Sequence, residues 1–228
     1  PNGSKLFFVS NKGNKFTADN RFVTDIWVAE RLGENWSDPY KLDTIINSSD
    51  AEFFPSVAES GNLYFARESA EKREGFIYKS EFKNGKYQKP EKLPVQINAG
   101  AARFNAVIAR DESFMIVPVY GMEDSLGSTD YYITFYDKEK GWSQPQNLGD
   151  KINTKSGNEY SANFSPDGNY FFFMSTRINN TITANLTYSE LKKLHNSPEN
   201  GNSNIYWMKA DFINELKEKA TFTKNEEK

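Results

Sequence analysis

At 228 residues the chain is long enough to bury a core, and its net charge of −3 leaves it without the basic face that nucleic acid requires. It has no cysteine and a single histidine, His195, which excludes disulfides, thiolate chemistry, cysteine zinc sites and any multi-histidine metal centre within one chain. No metal or cofactor is therefore expected, and no apolar run approaches the roughly 18 residues of a membrane-spanning helix.

The chain starts at Pro1 with neither Met nor a signal-like segment, the mark of a processed or truncated product. Asn2-Gly3 supplies a tight turn, "KLFFVS" a near-continuous apolar strand and "DIWVAER" a strand beside it. Trp36, Pro39 and Leu42 form an aromatic-x-x-Pro-x-x-Leu motif, whose proline suits an outer edge strand because no ladder donor is needed there. The pair Ile46-Asn47 follows. Then the pattern repeats, with "FFPSVAE", Ser60-Gly61, "NLYFAR", "FIYKSEF", the Tyr87-Pro90-Leu93 motif and Ile97-Asn98. A third copy runs through "FNAVIAR", "SFMIVPV", "DYYITFY", Trp142-Pro145-Leu148 and Ile152-Asn153. A fourth contains "YSANFSP", Asp167-Gly168, "YFFFMS" and "NIYWMKA".

Trp36, Tyr87 and Trp142 are 51 and then 55 residues apart, too long for ankyrin or leucine-rich units and close to one four-stranded propeller blade. The aromatic share of 15% suits strands that pack on a pleated surface. The expected fold is all-β, an antiparallel β-propeller over residues 1–217, with repeats at about 1–49, 50–101, 102–157 and 158–210 and a charged tail at 218–228. The strand count leaves the first blade without an inner strand and the last without an outer one. The expectation is thus about four blades of a larger ring whose N-terminal part is absent from this chain.

Helix is expected only at 187–195, where Thr187-x-x-Glu190 is a capping box, and at 211–219. Residues 179–203 are expected to form a peripheral loop insertion. Pro118 falls in a strand that should be central, so that strand is expected to end or bulge there.

Glu52, Arg103 and Glu159 occupy equivalent places at the start of the innermost strands. They are the candidate ligand-binding residues, since inner strands line a propeller's axial channel. The same residues could instead bond blade to blade and maintain the repeat. Asp25 and Asp130, which open third strands, are read as acceptors for turn amides. Trp27, Trp36 and Trp142 are read as inter-blade packing rather than as stacking platforms for sugars. No Gly-x-Ser-x-Gly elbow is present, His195 reads as an exposed bystander on a surface helix, and no acidic loop has calcium spacing. No catalytic or metal residue is assigned.

"NFSPDGNYFFFMSTR" resembles the core of the WD40-like PD40 β-propeller repeats, the kind found in the propeller domain of TolB. "TDIWVAERLGENWSDPYKL" resembles the strand pair that follows in that repeat, and "SNIYWMKADFINELK" the closing segment of exported PD40-repeat proteins of Bacteroidetes-type bacteria. The resemblance covers residues 1–217 and implies an exported, periplasmic or surface-attached propeller with a further N-terminal segment. The third repeat departs from it, with Arg103 in place of an acid and "ARDES" in place of Ser-Pro-Asp-Gly.

The expected function is a non-catalytic, extracytoplasmic binding or scaffold module, presenting its loops and central channel to a protein or carbohydrate partner. The alternative is a glycan-active hydrolase or lyase that uses channel carboxylates.

Overall fold

The computed structural model describes residues 2–13, 16, 20–178 and 185–223, and these form four antiparallel sheets arranged as propeller blades. Blade 1 contains β1 (Lys5–Ser10), β2 (Asp25–Leu32), the short β3 (Asn35–Trp36) and β4 (Tyr40–Lys41), with β2 between β1 and β4. Blade 2 runs β5 (Ala51–Val57), β6 (Leu63–Glu68) and β7 (Gly75–Ser80), then a small hairpin of β8 (Phe82–Lys83) and β9 (Lys86–Tyr87), then β10 (Glu91–Lys92) on the outside. In blade 3 the inner strand is in two pieces, β11 (Ala102–Arg103) and β12 (Val107–Ile108), both paired with β13 (Phe114–Tyr120). Outside β13 lies β14 (Thr129–Asp137), which pairs with β15 (Gly141–Trp142) and β16 (Gln146–Asn147). Blade 4 has three strands, β17 (Glu159–Phe164), β18 (Tyr170–Ser175) and β19 (Asn204–Lys209). Helix is confined to α1 (Tyr188–His195) and α2 (Phe212–Glu218), neither long and apolar enough to cross a membrane.

The repeat markers have local jobs. Gly3, Gly61 and Gly168 sit in the tight turns with φ of +73°, +88° and +75°, a region that costs glycine nothing. In blades 1 to 3 the Ile-Asn pair ties the segment after the outer strand to the third strand. Asn98 accepts from the Ile77 N–H at 2.7 Å and donates to the Ile77 and Leu93 carbonyls. Asn47 treats Ile26 and Leu42 the same way, and Asn153 brackets Tyr131. The neighbouring Ile46, Ile97 and Ile152 are buried.

Blades meet through apolar faces. Ile26 and Phe7 of blade 1 pack with Leu63 and Phe65 of blade 2. Tyr64 and Ile77 of blade 2 meet Met115 and Val117 of blade 3. Ile116, Tyr131 and Ile133 of blade 3 meet Phe171 and Phe173 of blade 4. Full burial of one such side chain stabilises by about 2 kcal/mol.

Two expectations need correction. β13 neither ends nor bulges at Pro118, which stays in register opposite Tyr131. The interruption falls on its inner neighbour instead. The Pro118 carbonyl faces that side and accepts from Phe104, and the strand facing a residue with no N–H breaks between Arg103 and Val107. Trp36 is exposed, not packed between blades, because its short strand β3 projects beyond the sheet it extends. Trp27 is half-buried, and Trp142 packs against the cluster between blades 2 and 3.

The Thr187–Glu190 capping box is present at α1, whose side chains are all outside the core. Residues 179–184 of the insertion lie outside the described residues. Within the segment read as a tail, Gln144 donates its N–H to Thr221 at 2.8 Å and Phe222 packs against the cluster between blades 3 and 4.

Candidate functional site: an axial cleft

The inner strands carry a repeated irregularity. Register shifts between Phe53 and Ser56 in β5 and between Tyr160 and Asn163 in β17, and the break in blade 3 falls at the equivalent place. Phe54 and Ser161 adopt φ of +55° and +64° there, unusual for residues with a side chain. A bulge bends its strand and re-aims the side chains at that point. Phe54 is thereby turned out of its sheet and exposed.

Beyond the bulges the inner strands enclose a cleft of about 1020 Å³. Phe7, Phe54, Asn105, Asn163, Phe164 and Asn214 are on its wall, with Lys5, Arg110, Asp111 and Asp167 among the charged groups. Side-chain bonds between blades fix this wall. Asn105 donates to the Ser161 hydroxyl at 2.8 Å, the Ile108 N–H donates to Ser56 at 3.1 Å, and Arg110 donates to the Pro166 carbonyl.

Lys5, Arg110, Asp111 and Asp167 are engaged locally, whereas Asp211, also on the wall, opens α2 without a side-chain capping bond. Lys5 pairs with Glu30 at 3.1 Å. Asp111 accepts from the Ser113 amide and hydroxyl. Asp167 accepts from Ser165, then from the amide and side chain of Asn169, and these bonds hold its carboxyl below the usual range. Among the described residues no group of three or more His, Cys, Asp or Glu side chains could hold a metal.

Glu52, Arg103 and Glu159 are not among the residues that line this cleft, and each is bonded to partners other than the other two. Glu52 is fully buried, accepting from Ser48 Oγ at 2.6 Å and Arg67 Nε at 2.7 Å. Burial pushes its carboxyl up, against the pull of Ser48 and Arg67. Arg103 donates to the Gly75 and Gly100 carbonyls and lies over the Phe76 ring. Glu159 is fully buried too, with Oε1 accepting from Thr154 and Ser175. Its Oε2 has no donor among the described residues, and burial raises its pKa, with Asp130 adding to the effect.

Asp130 accepts from the Leu126 and Gly127 amides at 2.6 and 3.1 Å, tying the hairpin loop to its blade. Asp25 pairs with Lys41. His195 is exposed at the end of α1. Sequence reasoning placed the site at the first residues of the inner strands, whereas the cleft opens further along them, past the bulges. The signal that could have located it was Pro55 in "FFPSV", a residue that disfavours a regular inner ladder.

No family model matches the chain, and no curated protein matches it. Solved structures similar to it include the hydrazine synthase of Kuenenia stuttgartiensis, at 15% identity and a TM-score of 0.39, covering 71% of this chain and 50% of that one. A post-proline cleaving enzyme from Rickettsia typhi matches at 12% identity and 0.34, covering 79% and 25%. The protein BT0996, solved as an RGII complex, matches at 12% and 0.49, covering 100% and 72%. The chain thus spans half the length of the first and a quarter of the second.

Proposed function

We propose that the chain is a non-catalytic binding module on a PD40-type propeller, and that its axial cleft takes a neutral polar chain of the carbohydrate class. The chemistry of the wall carries this reading. Phe54 offers an exposed ring beside the half-buried Phe7 and Phe164, and Asn105, Asn163 and Asn214 offer amides. Lys5, Asp111 and Asp167 are already engaged by partners of their own. Rings and amides beside internally satisfied charges suit a ligand that is polar without being ionic. The exported location implied by the resemblance belongs to the same proposal. Glu52, Arg103 and Glu159 enter it only as groups that hold the blades together, with no contact to the ligand.

The enzyme alternative needs two accessible carboxylates at a defined separation. Asp111 and Asp167 are engaged in their own turns, which leaves Asp211 as a single carboxylate on the wall without such a bond, one short of the pair. The test is a screen of the full chain against soluble polysaccharides, measuring binding by calorimetry and cleavage by release of new chain ends. Binding without release supports the module. Release of new chain ends would end it in favour of the enzyme.

A further inference from the structure

The junctions between successive blades balance charge in different ways. Between blades 1 and 2 two buried acids each have a base: Asp25 pairs with Lys41, and Glu52 with Arg67. Between blades 2 and 3 both acids are gone. Phe76 and Arg103 stand in their places, and Lys92 and Arg103 lie over the Phe76 ring at 3.0 and 5.1 Å. Between blades 3 and 4 the acids return as Asp130 and Glu159, each fully buried. The bases do not. Asn147 has the place of Lys41, since it lies opposite Tyr132 as Lys41 lies opposite Trp27. Ser175 has the place of Arg67, opposite Glu159 as Arg67 is opposite Glu52. Arg177 donates to the Ser175 hydroxyl and the Ile152 carbonyl rather than to Glu159, and Lys155 is exposed.

Two like charges buried without a counter-charge are strongly unfavourable. Hydrogen bonds meet only part of the need. Asp130 accepts from Leu126, Gly127 and Asn147, but Glu159 Oε2 is buried with no donor among the described residues. Other oxygens crowd the same place. A methyl group on Gly127 would strike the Thr154 and Gly157 carbonyl oxygens, with Asp130 Oδ1 at 3.4 Å. One on Gly157 would strike Thr154 Oγ1 and Glu159 Oε1. We infer that the junction between blades 3 and 4 binds a calcium ion, held by the Asp130 and Glu159 carboxylates and the Thr154 and Gly157 carbonyls. Every donor is a hard oxygen, the kind of ligand that calcium gathers, about six to eight at a time, in irregular geometry. Its double charge does the work of the two absent bases. The donors come from three separate segments, so no stretch of sequence shows the alternate spacing of a calcium loop. Neither acid lines the axial cleft, so this site is independent of the ligand proposed there.

The test melts the full chain at neutral pH after chelator treatment, then again in about 10 mM CaCl2, above the range of the weaker natural calcium sites. Calcium is expected to raise Tm by about 5 °C. Magnesium chloride at the same concentration should raise it less, because magnesium demands a regular octahedron and gives up its water reluctantly. Glu159→Gln keeps the bonds to Thr154 and Ser175, so it should melt no lower than the parent before calcium is added and should lose the calcium response. Asn147→Lys rebuilds at Asp130 the pair that Asp25 makes with Lys41, and it should lose the response too. That second variant decides the matter if Glu159→Gln does not fold. No calcium response in the parent would overturn the inference. So would an equal rise with magnesium, or a calcium response undiminished in either folded variant.

Discussion

Tyr64 of blade 2 donates its hydroxyl hydrogen to Glu112 of blade 3 across 2.6 Å. Glu112 stands where the other blades have a turn glycine, and it adopts φ +62°. The strained backbone is offset by what the carboxylate gains, because Ser60, Asn62 and Lys79 donate to it as well. The third repeat's departure from Ser-Pro-Asp-Gly is thus a latch between blades.

Burial pushes the Glu112 carboxyl up, but donors from Asn62, Tyr64, Ser60 and Lys79 outweigh it and bring the pKa to about 2. The unfolded value is about 4.3, so this stabilisation is present above that pH and is lost as pH falls toward 2. Glu112→Gln is expected to cost about 2 kcal/mol at neutral pH. That corresponds to roughly 4–8 °C in Tm for a domain of this size. Thermal melts of both proteins from pH 7 to pH 2 check it, and the gap between them should narrow below about pH 4.

Glu159 has the opposite sign. Its carboxyl is raised by burial, so the folded state favours its protonated form, and its contribution to stability falls as pH rises through the raised pKa. Gln in its place keeps an acceptor for Thr154 and Ser175 without the buried charge. Glu159→Gln is expected to leave Tm unchanged or higher at pH 8 and to lose that advantage at pH 4. Melts at the two pH values decide it.

Asn98 makes three buried bonds to the backbone of its own blade. Asn98→Leu leaves the Ile77 N–H and two carbonyls without their partner, at a cost of about 3 kcal/mol. Tm should fall by roughly 6–12 °C. Denaturant unfolding of Asn47→Leu and Asn153→Leu should give losses of similar size if these asparagines do one repeated job.

No side chain of α1 is buried, so the insertion adds little to the core. Replacing residues 179–203 by Gly-Asn is expected to shift Tm by less than about 5 °C, since loop closure depends weakly on length. Differential scanning calorimetry of the shortened chain measures this.

The repeat was legible because spacing alone aligns Trp36 with Tyr87 and Trp142, and because Asn47, Asn98 and Asn153 recur at fixed distance from them. The capping box at Thr187 was legible because it is a purely local bond pattern. What failed depends on neighbours. Pro118 disturbs the strand opposite it, not its own, which no single-strand reading reveals. The position of the cleft rests on bulges at Phe54 and Ser161, backbone features written in no one residue.

The central claim is that ligand is held at the cleft wall past the bulges. Calorimetric titration of a bound polysaccharide against the parent chain, Phe54→Ala and Glu52→Gln tests it most directly. Loss of the exposed ring should weaken binding about tenfold, roughly 1.4 kcal/mol, without lowering Tm. Glu52→Gln should leave affinity unchanged, since that side chain is off the cleft wall and bonded to Ser48 and to Arg67 of its own blade. Undiminished affinity in Phe54→Ala, with binding abolished in a folded Glu52→Gln, would contradict the account.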